Sequence, residues 1–155
     1  MASEKTGQAP TMLVDLEHDL LICLHTKAPP RDEEWQEYIT LSVKQVEDAR
    51  GIKRRFRQLV ITEGGAPSLA QRKAVTDAFQ AAVGDGSVQE MIAVVSNSPY
   101  TRFVTTALSI IVKGIRSFPE DKLDNALAYL GVVDSAAARR RVDRLRARLS
   151  GMEKS

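Results

Sequence analysis

The spacing of apolar residues changes character several times along the chain, and each change marks an element. In TMLVDLEHDLLICLHT, residues 11–26, Leu20, Ile22 and Leu24 share one side of an extended chain; Leu21, Cys23 and His25 share the other. The stretch predicts two strands joined by a turn near Glu17-His18-Asp19. Apolar residues on both sides of the second strand place it inside a sheet. APPRDEEW then breaks the alternation. Asp32, Glu33 and Glu34 suit the positive first turn of a helix. Trp35, Tyr38, Ile39, Val43 and Val46 follow at roughly helical spacing, which predicts a helix to about Asp48 with Gly51 as its stop.

Three strand–loop–helix units come next. FRQLVIT (56–62) leads into a helix over 68–83, and EMIAVVS (90–96) into one over 99–113. GIRSF (114–118) leads into PEDKLDNALAYLG, a helix opened by Pro119 and stopped by Gly131. A last helix starts near Ser135. The order is ββαβαβαβα with an added C-terminal helix. This alternation predicts an α/β fold on a largely parallel sheet, made mixed by the opening hairpin. The 155 residues form one domain. The predicted layout is a flexible tail over 1–10, the domain over 11–133, a basic amphipathic helix over 134–150 and a tail over 151–155.

Composition narrows the class. Apolar residues make up 43% and charged residues 27%, as in a globular soluble protein. A chain of this length buries about 70% of its unfolded surface and needs no disulfide or metal staple. The lone Cys23, inside LLICL, reads as a buried thiol. The polar start MASEKTGQAP has no signal-peptide core, and FVTTALSIIV (103–112) is about half the length of a membrane span. A cytoplasmic protein with no transmembrane segment is expected.

Two loops could carry chemistry. LVITEGGAPSLAQRK (59–73) sets glycines between a strand and a helix, but it has neither G-x-G-x-x-G nor G-x-x-x-x-G-K-[S/T]. Its glycines supply turn geometry. Ser68 caps the helix, and Gln71 three residues later completes a capping box. In SNSPYTR (96–102), Ser98 caps a helix whose first residue is Pro99, while Asn97, Tyr100, Thr101 and Arg102 add donors. Carboxyl ends of parallel strands and helix N-termini gather ligands. Glu63, Gly64, Gly65, Asn97, Ser98, Tyr100 and Arg102 are therefore candidate ligand or partner residues. A small anion would sit between Gly65, Ser68, Ser98 and Arg102. No catalytic constellation is legible: His18 falls in a turn, His25 reads as a satisfied strand-end side chain, and Glu63 is a lone acid. One cysteine and two separated histidines give no zinc cluster. A non-catalytic protein without metal or cofactor is expected.

The element order and loops resemble a STAS-like domain (sulfate transporter and anti-sigma-factor antagonist), in a branch of uncharacterised bacterial proteins. The stretches that carry the resemblance are LVITEGGAPSLAQRK, IAVVSNSPYTRFVTTAL and FPEDKLDNALAYLGV, within residues 11–133. The resemblance implies a single-domain STAS-like sandwich and a regulatory module that acts by protein–protein interaction. STAS regulators carry a phosphorylated Ser or Thr at this strand-to-helix junction, which implies Ser68, with Thr62 as the second candidate. This chain has Thr62-Glu63-Gly64-Gly65 where those regulators have Asp-Ser-[Ser/Thr]-Gly. Some STAS-like proteins group with CRAL-TRIO lipid-binding folds. The alternative implied is a small anionic-ligand or lipid-binding domain.

Surface patterning adds the partners. The helix over 99–113 is apolar beyond one stripe, so Phe103, Leu108 and Ile111 form a candidate partner patch. The other reading is that the C-terminal helix covers that surface, since Ala138, Val142, Leu145 and Leu149 need burial. Arginines crowd the last helix and residues 53–57, but Asp143 interrupts the helix and the net charge is only +2. A solvated basic face is expected, not nucleic-acid binding. The expected partner is a protein, with a homodimer left open.

Overall fold

The structure, a computed structural model, describes residues 9–49, 55–84, 89–99, 101 and 114–151. Strands β1 (Met12–Glu17) and β2 (Leu20–His25) form the expected hairpin. His18 and Asp19 both take positive φ, 51° and 64°, as in the two-residue turns whose twist matches paired strands. Helix α1 (Asp32–Ala49), strand β3 (Arg55–Thr62), helix α2 (Leu69–Val83) and strands β4 (Gln89–Val95) and β5 (Ile115–Phe118) follow. A 3-10 turn (Glu120–Lys122) leads into α3 (Leu123–Tyr129), and α4 (Ser135–Leu149) comes last. The strands lie side by side in chain order. β1 runs antiparallel to β2, and all other neighbours are parallel. The α/β class and the mixed sheet are as expected.

One element differs from its sequence pattern. The helix expected from Pro119 divides, because Pro119 offers no side-chain cap and the chain tightens into the 3-10 turn before α3 begins. Of the helix expected over 99–113, Pro99 and Thr101 are helical. The remainder, with Tyr100, Arg102, Phe103, Leu108 and Ile111, lies outside the described residues. So do residues 1–8, Gly51, Lys53, Arg54 and residues 152–155.

Strand order dictates the layers. Right-handed crossovers between strands laid down in one direction put α1 and α2 on the same face. They cover Leu21 and Cys23 with Trp35 and Ile39, and Phe56 with Val46 and Ala82. On that side the fully buried Gln58 donates to Ser42 Oγ at 3.0 Å and accepts from Tyr38 Oη at 2.8 Å, joining β3 to α1. The opposite face presents Leu20, Ile22, Leu24, Leu59, Ile61, Ala93 and Val95, and α3 and α4 cover it. α3 ends as expected at Gly131 (φ 70°), whose N–H donates to Ala128 O while Val132 N–H donates to Leu127 O. Arg57 takes up two further carbonyl oxygens there, those of Leu130 and Gly131.

The C-terminal helix therefore docks on the sheet itself. Ala138, Val142 and Leu145 are buried in the main core. Arg141, in the middle of the arginine run, is only 7% exposed at its side chain. Its Nη2 lies 2.8 Å from Asp15 Oδ2 and donates to Leu20 O, and its Nη1 donates to Glu17 O. Arg139 pairs with Asp124 at 2.7 Å on the exposed surface, and Arg144 and Arg146 form longer surface pairs with Glu17 and Glu120. Among the described residues no helix is long and apolar enough to cross a membrane.

Candidate functional site: a cleft at the carboxyl ends of the strands

The glycines after β3 answer two different demands. Gly64 has φ 124°, a conformation that residues with a Cβ rarely adopt, and its N–H donates to Thr62 Oγ1 at 3.0 Å. Gly65 packs against the loop that follows β2: its N–H donates to Thr26 O at 2.9 Å, and an added Cβ would meet the Thr26 and Ala28 carbonyl oxygens under 3.0 Å. Ser68 is exposed and is the expected cap of α2. It accepts from Gln71 N–H at 3.1 Å, and its own N–H donates to Gln71 Oε1 at 2.9 Å. Gln71 is buried and does more than the capping box requires. Its Nε2 donates to Pro30 O and Asp32 Oδ1, and its carbonyl accepts from Trp35 Nε1 at 2.7 Å. One glutamine thus ties the α2 start to the α1 start.

A cleft of about 560 Å³ opens at the same end of the sheet, on the side covered by α4. Leu24, Ile61 and Leu149 are its apolar residues. Thr26, Lys27, Thr62 and Glu63 border it after β2 and β3, Asn97 and Ser98 after β4. Glu120 of the 3-10 turn, Arg146 and Ser150 of the α4 end, and His25 at the end of β2 complete it. The volume is ordinary for a small-molecule site, as is the mixture of apolar residues and a few polar groups. Strand order makes no reversal here. The overhang of the last α4 turn creates the concavity.

The polar end of the cleft is built from three segments. Asn97 Nδ2 donates to Glu120 Oε2 at 2.7 Å, and Glu120 N–H donates back to Asn97 Oδ1 at 3.1 Å. The other carboxylate oxygen of Glu120 faces Arg146 Nη2 at 3.5 Å. Ser98 accepts from Thr101 N–H at 3.3 Å, the expected cap, and its own N–H donates to Ser96 Oγ. A Cβ on Gly64 would stand 3.9 Å from Ser98 Oγ, so the two glycine- and serine-bearing loops are neighbours.

A second cluster lies at the β2 end and meets the cleft at His25, where sequence spacing suggested nothing reactive. Cys23 Sγ and His25 Nε2 are 3.4 Å apart, and both residues are buried. The satisfied role expected for His25 is not met, because its Nδ1 is buried without a hydrogen-bond partner. Burial lowers the His25 pKa from 6.5 to about 4, with the Glu34 charge opposing the shift, and burial pushes the Cys23 thiol up. Glu34 accepts from the N–H groups of Thr11, Met12 and Arg31 and from Thr11 Oγ1. Burial alone would raise its carboxyl; donation from Thr11 and Arg31 outweighs that and holds it below the usual value.

A pH dependence follows from these shifts. The unfolded chain binds more protons at His25 than the folded chain between about pH 6.5 and 4, so stability is full above that window and falls as pH drops through it. The expected loss by about pH 5 is roughly 2 kcal/mol. Glu34 has the same sign at lower pH: its contribution is present above its unfolded pKa and lost as pH falls through the lower folded value. Denaturant melts across pH check this. His25→Leu should flatten the upper limb and leave the Glu34 limb.

The fold thus places Glu63, Asn97 and Ser98 on the cleft, with Thr62 at its edge. Gly65 and Ser68 turn to the loops on the α1 and α2 side, where their N–H groups are already used. As site residues, Lys27, Glu120, Arg146 and Leu149 escaped the sequence reading. Their one available signal was Leu149, three residues after Arg146 on an apolar helical stripe. No family model, no curated protein and no solved structure matches the chain.

Proposed function

We propose that this chain is a non-catalytic, STAS-like regulatory module of the bacterial cytoplasm, and that it recognises a small ligand at the carboxyl ends of its parallel strands. The observation that carries the reading is the cleft, with Leu24, Ile61 and Leu149 inside and Lys27, Glu63, Asn97, Glu120 and Arg146 around it. The Cys23–His25 pair supports a binding role over a catalytic one. An activated thiol needs a lowered pKa, an imidazolium nearby and access. Here the thiol is raised, the imidazole is neutral at physiological pH and both are buried. Native mass spectrometry of the purified protein tests the reading. A co-purified small molecule, lost with bulky substitution at Leu149 (Leu149→Trp), is the expected result. A clean apo mass with no thermal shift across phosphates, carboxylates and lipids would sink it.

Recognition of a protein partner, controlled by phosphorylation, is the second reading. What favours it is the α2 start, where the exposed Ser68 stands beside Leu69, an apolar side chain 75% exposed. Ser68→Ala removes the capping box and is expected to lose about 1 kcal/mol regardless of any partner. Ser68→Asp keeps a capping oxygen and adds charge, so its stability should stay within about 0.5 kcal/mol of the parent. Phosphopeptide mapping, with partner binding compared between parent and Ser68→Asp, separates a switch from a cap.

A further inference from the structure

Three apolar side chains and several polar groups line the cleft, and a charged group held there by hydrogen bonds is itself a carboxylate. Two reciprocal hydrogen bonds with Asn97 fix Glu120, and its free oxygen is directed at Arg146. The Arg146–Glu120 separation of 3.5 Å is long for a charge-assisted bond, and both side chains are nearly half exposed. Such a pair contributes about 1 kcal/mol or less. A planar guanidinium offers five donors in a fork, and this contact engages little of it. Leu149 lies one helical turn beyond Arg146, on the same side of α4, and borders the same cleft as Leu24 and Ile61. A cation, a displaceable internal carboxylate and three apolar side chains thus border one cleft.

We infer that the cleft binds an amphipathic carboxylate, its acid group on Arg146 in the place Glu120 now occupies and its chain on Leu24, Ile61 and Leu149. Glu120 is then a built-in competitor that sets the affinity. Lys27 adds a second cation at the edge, and the exposed Glu63 opposes it, so specificity rests on Arg146. This inference rests on the reading of the cleft as a ligand site.

Binding of decanoate, decanol and decylamine, each below its aggregation concentration, is measured by calorimetry and by methyl chemical shifts of Leu24, Ile61 and Leu149. The expected order puts decanoate first. Glu120→Gln keeps the Asn97 contacts, removes the competing charge and should tighten decanoate about threefold to fivefold. Arg146→Gln should weaken it at least about tenfold, with partial rescue by Arg146→Lys. Both positions are half exposed, so thermal stability should barely change and serves as the folding control. Decanoate binding unchanged in both variants overturns the inference. If decanol binds the parent as well as decanoate does, and is indifferent to Arg146, the cleft remains a ligand site but the carboxylate assignment fails. If none of the three probes binds, the ligand reading fails with it.

Discussion

Gly65→Ala is expected to lower stability by about 3 kcal/mol, read as a shift of the denaturant midpoint at unchanged slope. The added methyl would overlap the Thr26 and Ala28 carbonyl oxygens. These are main-chain atoms, and neither can swing aside as the end of a flexible side chain can. Relief therefore separates the loops after β2 and β3 and breaks the Gly65 N–H bond to Thr26 O. Gly64→Ala is the matched control. There an added Cβ meets only Ser98 Oγ at an ordinary 3.9 Å and φ is positive, so only backbone strain of about 1–2 kcal/mol is expected. Equal losses at the two positions would show that loop contact is not the cause.

Arg141→Met should lose about 3–4 kcal/mol, whereas Arg139→Met in the same helix should lose under about 1 kcal/mol. Methionine refills much of the volume, so the loss isolates the polar contacts. Removing the guanidinium strands the part-buried Asp15 carboxylate and leaves the Glu17 and Leu20 carbonyl oxygens without this donor. Arg139 pairs with an exposed Asp124 in solvent, where screening and side-chain entropy offset the attraction. An Arg141 variant as mild as the Arg139 variant would mean that apolar packing alone holds α4.

The contrast between these arginines explains what sequence could reveal. Strands and helices were legible because their apolar period changes from two to nearly four, and because Ser68, Gln71, Ser98 and Gly131 mark helix ends by local chemistry. Local chemistry cannot say which arginine of Arg139-Arg140-Arg141 turns inward. The signal was weak but present: position 141 adjoins Val142 on the stripe of Ala138 and Leu145, and β1 carries Asp15 and Glu17 amid apolar residues. The cleft was less legible still. The strand-end loops were anticipated, and Asn97 and Ser98 do border it. Its cation arrives on a helix more than 80 residues after the β3 loop, through a tertiary contact that no short-range pattern encodes. His25 was read from its position at a strand end, whereas its lowered pKa depends on burial by the tertiary fold, opposed by the Glu34 charge that α1 supplies.

The ion pair that joins Arg141 to Asp15 spans 126 residues of chain. During synthesis, β1 and β2 emerge first, yet the apolar face of Leu20, Ile22 and Leu24 stays uncovered until α3 and α4 have left the ribosome. A nascent chain that stalls before residue 135 would present that face, together with Leu59 and Ile61, to its neighbours and to chaperones. Closure of that face thus waits for the last helix, and truncation before α4 should yield insoluble product in place of a smaller stable domain.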